Sequence, residues 1–325
     1  MKRLALGLFG VAVLAGACGT EKPSESSPYI AGFNPAPVAD GFTRFVLPAV
    51  RDIQPGQDEM WCQYVSEPAT EDTDIVFVTG EQSKGGHHLV LYGTKKPGKV
   101  GESHVCKDTD QLSLTFLGGI GGEGVGGVIA SLPQGVTFRL PKGWQLLSNT
   151  HFVNTGSKPI DGQGVIDVKM AKPDASRKPL GLFVNVGLDI NIPKGTVKAQ
   201  DVSCTIQQDL DVILFFNHQH ERGTSIFTDL KRAGEETNFV VRRDDVWRRE
   251  MVFAPEMTKF ALQGEGSLKL KKGDVLRTHC EWENTEDRPL SFPEEMCVGT
   301  FVYVGDNTSG APQIACTDGE WGDGN

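Results

Sequence analysis

No long segment of this 325-residue chain holds a helical period of apolar residues. The apolar residues fall instead in short runs rich in Val, Leu, Ile and Phe, such as "DIVFVTG", "HHLVLYG", "LGLFVNVGL", "DVILFFNHQH" and "VGTFVYVG", with Gly, Pro, Asp and Asn between them. β-Branched and aromatic side chains suit a pleated, half-buried surface, and frequent turn residues keep each run short. The pattern predicts an all-β protein built of antiparallel β-sandwiches. The chain is long for one core, and a change of pattern at "AKPDASRKP" (171–179) predicts two tandem domains, 41–175 and 176–316, with a short tail over 317–325.

The N-terminus "MKRLALGLFGVAVLAGACGT" has a basic start, an apolar run and a small-residue exit. It reads as a bacterial-type export signal over 1–18 and is too short to span a membrane. "LAGAC" is similar to a lipoprotein signal, which would make Cys18 a lipid anchor; Ala15-Gly16-Ala17 also suits an ordinary secretory peptidase. The expected location is the cell envelope or periplasm, with membrane contact only through that lipid. Polar residues after Cys18 predict a flexible tether over 19–40. A formal charge of −10 argues against a nucleic-acid partner. With Cys18 set aside, Cys62, Cys106, Cys204, Cys280, Cys297 and Cys316 form an even set suited to disulfides in an oxidising compartment; spacing alone does not choose the pairing. The glycine-rich "GGIGGEGVGG" (118–127) lacks a P-loop lysine and a following helix, so a flexible or tightly turning loop is expected.

"FFNHQHERG" puts His218 and His220 one residue apart at the end of an apolar run. In a strand both imidazoles leave the same face, a geometry that suits a metal as well as an ordinary polar edge. His87 and His88 in "GGHHLVLYG" and His151 in "LLSNTHFVNTG" add three more imidazoles. Imidazole serves zinc, iron, nickel and copper, whereas a thioether selects softer ions, Cu(I) above all. Met296 in "FPEEMCVGTFVYV" stands beside a cysteine at the start of a strand, but spacing alone does not pick it among six methionines, and alone it reads as a core residue. His104 and His279 stand close to cysteines and read as structural.

The stretch "KKGDVLRTHCEWENTED…FPEEMCVGTFVYV" resembles the C-terminal domain of the copper type II, ascorbate-dependent monooxygenases, the family of dopamine β-hydroxylase and peptidylglycine α-hydroxylating monooxygenase. The His-His, third-histidine and H-x-H strands, and "QDVSCTIQQDL" before the last, resemble that family in the same order, over about residues 45 to 316. The resemblance implies two jelly-roll-like sandwiches with a copper site in each. His87, His88 and His151 would hold an electron-transfer copper, and His218, His220 and Met296 a catalytic, O2-activating one. Implied too are the disulfides Cys62–Cys106, Cys204–Cys316 and Cys280–Cys297. The activity implied is hydroxylation of a C–H bond with O2 and two electrons from ascorbate or another small reductant. Adjacent histidines point to opposite faces of a regular strand, so His87 and His88 need a twisted backbone or unlike ring nitrogens to share one ion.

The chain departs from the family at the substrate. Peptidylglycine hydroxylases anchor a substrate carboxylate with an arginine, an asparagine and a tyrosine at positions that hold Phe216, Val298 and Thr300 here. Phenylalanine cannot replace a bidentate guanidinium. Peptide amidation is therefore not expected, and a small apolar or aromatic substrate is. Thr94 stands where the family has a cysteine, so at least one bridge of the animal enzymes is absent. The competing expectation is an exported copper storage or delivery protein that uses the same scaffold without turnover.

Overall fold

The computed structural model describes residues 27–107, 114–125, 127–128, 133–252, 255–305 and 313–323. The export signal and Cys18 lie outside these residues. The fold is all-β, with strands joined mostly as antiparallel neighbours and one short 3-10 turn, Arg249–Val252, among the described residues.

In the N-terminal half a six-stranded sheet runs in the order Ser103–Val105, Asp58–Tyr64, Gln145–Val153, Gly86–Thr94, Thr115–Gly121, Gly127–Val128. One face carries Leu89, Leu91, Leu146 and Ile120, which pack with Ile75, Val78 and Ile166 of the neighbouring larger sheet. Each such side chain contributes roughly 1.5–3 kcal/mol when fully buried. The opposite face, with Met60, Cys62, His88, Asn149 and His151, lies outside this core by strand alternation.

The C-terminal half pairs Lys178–Gly187, Cys297–Val304 and Leu210–His218 in one layer. A second layer is formed by Val197–Thr205, Val275–Glu283, Gly223–Lys231 and Asn238–Asp244. Phe183, Phe215 and Phe301 fill the space between, with the last two ring centroids 4.4 Å apart. The disulfides are Cys62–Cys106, Cys204–Cys316 and Cys280–Cys297. The last two bind strand Val197–Thr205 to strand Gln313–Thr317, and strand Val275–Glu283 to strand Cys297–Val304.

The halves are joined through one sheet. Strand Val136–Leu140 pairs in parallel with the start of Lys178–Gly187, Val136 opposite Lys178. Leu180, Leu182, Ile213, Leu214 and Val302 from the C-terminal half belong to the same apolar cluster as the N-terminal core. Asp74, fully buried, accepts from Arg139 Nε and Arg177 Nε, both at 2.9 Å. Its second partner lies in the 171–179 segment, so that connection is pinned to the N-terminal half.

Three sequence expectations need correction. The packed chain begins well before residue 41: Ile30 and Phe33 bury against Val165, and Ile30 N donates to Gln163 Oε1 at 2.9 Å. A few apolar residues in a polar stretch suffice when a ready-made surface receives them. Residues 320–323 are a strand paired with Gln313–Thr317 rather than a tail, and Trp321 stacks on Phe183 at 5.0 Å. The glycine-rich 118–121 finishes strand Thr115–Gly121 instead of looping. Gly118 has φ 143°, and a Cβ there would meet Val78 side-chain atoms at 2.8 Å, so strand and glycine are compatible only because no side chain is present.

Candidate metal centres

His88 lies opposite His151 across the pair of strands Gly86–Thr94 and Gln145–Val153. Cross-strand partners share a face, so the two imidazoles stand side by side. Register then slips: Phe152 is opposite Gly86, which leaves His87 as the extra residue of a β-bulge. A bulge re-aims a side chain that strict alternation would send to the other face. It brings the His87 ring within 4.9 Å of the His151 ring, centroid to centroid. The twisted backbone expected for adjacent ligands is this bulge.

Nδ1 of His88 and Nδ1 of His151 are 3.3 Å apart. Two nitrogens bound at about 2.0–2.1 Å to one ion at a tetrahedral angle stand about 3.3–3.4 Å apart. One ligand nitrogen from each of His87, His88 and His151 can be chosen so that all lie within 4.8 Å of one another. The group therefore fits an ion once its most distant ring nitrogens close on one another. Nε2 of His151 faces away from its neighbours and lies 2.5 Å from Asp58 Oδ1. Opposite His88 on its other side is Gly121, where a Cβ would meet nothing within 4 Å, so that flank is open.

Burial and neighbouring charge favour the neutral, ligating form of His87 and His88. Burial pushes His88 well below the usual imidazole value, reinforced by His151, His87 and His218. His87 is lowered by burial and by His151. The hydrogen bond from His151 holds the Asp58 carboxyl below its ordinary range.

His218 ends strand Leu210–His218, opposite Val298. On this face the register runs Leu214 with Val302, Phe216 with Thr300, His218 with Val298. Leu214 and Val302 belong to the cluster shared with the N-terminal half, so the row leads from the buried junction out to the histidines. His220 follows two residues on, its ring centroid 5.1 Å from that of His218. Burial, then the neighbouring His220, pushes His218 down to about 3, with a ring nitrogen bonded to the backbone of Val252 opposing the shift.

Met296 lies two residues before Val298, on the loop that faces the H-x-H motif. Nδ1 of His220 is 3.0 Å from the Glu294 carbonyl oxygen, leaving Nε2 for a ligand. The Glu295 carboxylate accepts the backbone N–H of His220 at 3.2 Å and of Arg222 at 2.7 Å. Burial raises the Glu295 carboxyl to about 7, with those two N–H donors opposing the rise. The Glu294 and Glu295 contacts bring the backbone of the Met296 loop to the H-x-H motif; two imidazoles and a thioether are a donor type that suits Cu(I).

The segment 247–252 covers the same motif. Trp247 Nε1 donates to the His220 carbonyl at 3.1 Å, and Arg249 pairs with Glu221 at 2.7 Å. The Arg249 charge also reaches His87 and Asp58, lowering both. Asp58, Glu295 and Arg249 were not singled out by sequence. Each acts on a residue far away in the chain or through backbone, and only "EEMC" carried a hint of one. His279 sits between Asp201, at 2.6 Å, and Glu281, at 3.3 Å, stacked on Phe227, while His104 is exposed beside a disulfide strand.

No protein-family model matches the chain, and no curated protein matches it. Among solved structures, PNGase F, a glycosylasparaginase from Flavobacterium meningosepticum, is similar over 84% of this chain and 98% of its own, at 9% identity and a TM-score of 0.38. A structure of PBCV-1 VP54, fitted into a reconstruction of the virophage Sputnik, covers 83% of this chain and 95% of its own, at 8% identity and a TM-score of 0.30. Nothing in the functional reading rests on either likeness.

Proposed function

We propose that this chain is an exported copper-dependent monooxygenase. It hydroxylates a C–H bond of a small organic molecule with O2 and two electrons from ascorbate or a similar reductant. The observation that carries the reading is the 3.3 Å approach of His88 Nδ1 and His151 Nδ1 within a three-histidine group. The same chain carries an H-x-H pair tied to the loop bearing Met296. One set of three imidazoles and one of two imidazoles and a thioether suit two coppers with different tasks. When bound, copper would supply one-electron transfer and oxygen activation.

The protein's part is to hold and shield. Burial keeps His88 and His218 neutral and ready to ligate. The Glu294 carbonyl and the Glu295 carboxylate fix the H-x-H motif. Beside His218, Phe216, Val298 and Thr300 present ring, methyl groups and one hydroxyl. That wall has no cation for a carboxylate and favours a small apolar or aromatic substrate. Lipid at Cys18 would keep the protein in the bacterial envelope, where its three disulfides persist.

The test is O2 uptake by copper-loaded protein with ascorbate and a panel of small aromatic and aliphatic compounds. Uptake coupled one-to-one with a hydroxylated product supports turnover. Copper retained with no product from any compound favours storage or delivery.

A further inference from the structure

We infer that Asp58 is a positioning residue that sets the tautomer and donor strength of His151, and thereby makes the His87–His88–His151 copper the more reducing of the two. The oxidation-state part rests on the copper reading above; the tautomer part does not.

The geometry is specific. Asp58 opens strand Asp58–Tyr64 and is opposite Val153, so it is a diagonal neighbour of His151 on the adjacent strand. The strand ends are locked there by Asn154 N to Gln57 O at 2.9 Å and Gly56 N to Asn154 O at 2.8 Å. An ionised carboxylate only accepts hydrogen bonds, so the 2.5 Å contact requires the proton of His151 on Nε2. In the neutral ring the lone pair is then on Nδ1, the nitrogen 3.3 Å from His88 Nδ1. A carboxylate on the outer nitrogen of a metal-bound imidazole fixes the ring and raises its basicity. A stronger donor stabilises Cu(II) more than Cu(I).

The other group is supported differently. The outer nitrogen of His220 meets the neutral carbonyl of Glu294 at 3.0 Å, and a ring nitrogen of His218 meets the backbone of Val252. With a thioether as third donor, that site favours Cu(I). The outer ring nitrogens meet a full negative charge at one site and backbone dipoles at the other, and this contrast sets their reduction potentials in order, with the N-terminal site lower.

Two variants separate hydrogen bond from charge. Asp58→Ala removes both; Asp58→Asn keeps an acceptor oxygen and loses the charge. In copper-free protein, 15N NMR of the His151 ring should show Nε2 protonated in wild type and Asp58→Asn, and a tautomer mixture in Asp58→Ala. In copper-loaded protein, Asp58→Ala should lose roughly 10–100-fold in copper affinity at the N-terminal site. Asp58→Asn should raise the reduction potential of that site alone. A wild-type His151 protonated on Nδ1, or an Asp58→Ala protein with unchanged tautomer, overturns the positioning role whether or not copper binds. Unchanged N-site potential in Asp58→Asn overturns the tuning. A protein that takes up no copper overturns the monooxygenase reading and the tuning with it, while the NMR result still decides the role of Asp58.

Discussion

Nδ1 of His220 lies 3.0 Å from the backbone carbonyl of Glu294, two residues before Met296. The contact ties the H-x-H motif to the methionine loop, although 74 residues of chain separate them. It also decides which nitrogen of His220 remains to ligate, so one backbone oxygen links sequence order to site chemistry.

Met296→Ile keeps a similar volume and removes the only soft donor assigned to the C-terminal site. The fold should survive with little change in melting temperature, because volume-conserving apolar swaps usually cost less than about 1.5 kcal/mol. Hydroxylation should disappear while the N-terminal site keeps its copper. Unimpaired product formation would remove Met296 from the ligand set.

Glu295→Ala leaves two part-buried backbone N–H groups, of His220 and Arg222, without their acceptor. The expected cost is at most about 1–3 kcal/mol for each group, the figure for a fully buried donor, read from denaturant unfolding. Copper at the C-terminal site should bind more weakly, and copper at the N-terminal site should be unchanged. Glu295→Gln, which keeps an acceptor oxygen, should recover part of the loss.

Asp74→Ala strips a buried carboxylate from between Arg139 and Arg177. Breaking a buried ion pair by removing one partner costs about 3–5 kcal/mol. Because Arg177 belongs to the connection between the halves, limited proteolysis near 171–179 should accelerate. Unchanged cleavage there would mean that the shared sheet alone holds the junction.

Burial by itself would raise the Asp274 carboxyl, but N–H groups of Lys271 and Ala233 and the Arg232 guanidinium outweigh it and hold the group below its ordinary range. A depressed folded-state value stabilises the fold above the unfolded value, about 3.9 for Asp. That contribution is lost as pH falls through the folded value. Urea unfolding of wild type should therefore weaken below about pH 4, and Asp274→Asn should flatten this part of the dependence. An identical acid limb in the variant would assign it to other carboxylates.

Much of the strand layout was legible because alternation and turn residues are local signals. "DVILFFNHQH" and "VGTFVYVG" read as strands, and they are neighbours, with His218 opposite Val298. Register was not legible. The pairing of His151 with His88, the bulge that turns His87 and the diagonal placement of Asp58 follow from how strands align, which no single segment encodes. Tertiary partners also decided the packing of Ile30 and Phe33 and the pairing of 320–323. Their own residues read as polar chain until Val165 and Phe183 were in place to receive them. The joining of the halves through Val136 and Lys178 is not legible in the sequence for the same reason, since a break in composition need not break a sheet.

The central claim is that the two histidine groups hold separate copper ions, and elemental analysis of periplasmically expressed protein after copper reconstitution tests it most directly. Wild type should carry two coppers per chain, and His151→Ala and His220→Ala one each. Zinc, no metal, or simultaneous loss of both ions in either variant would contradict the account.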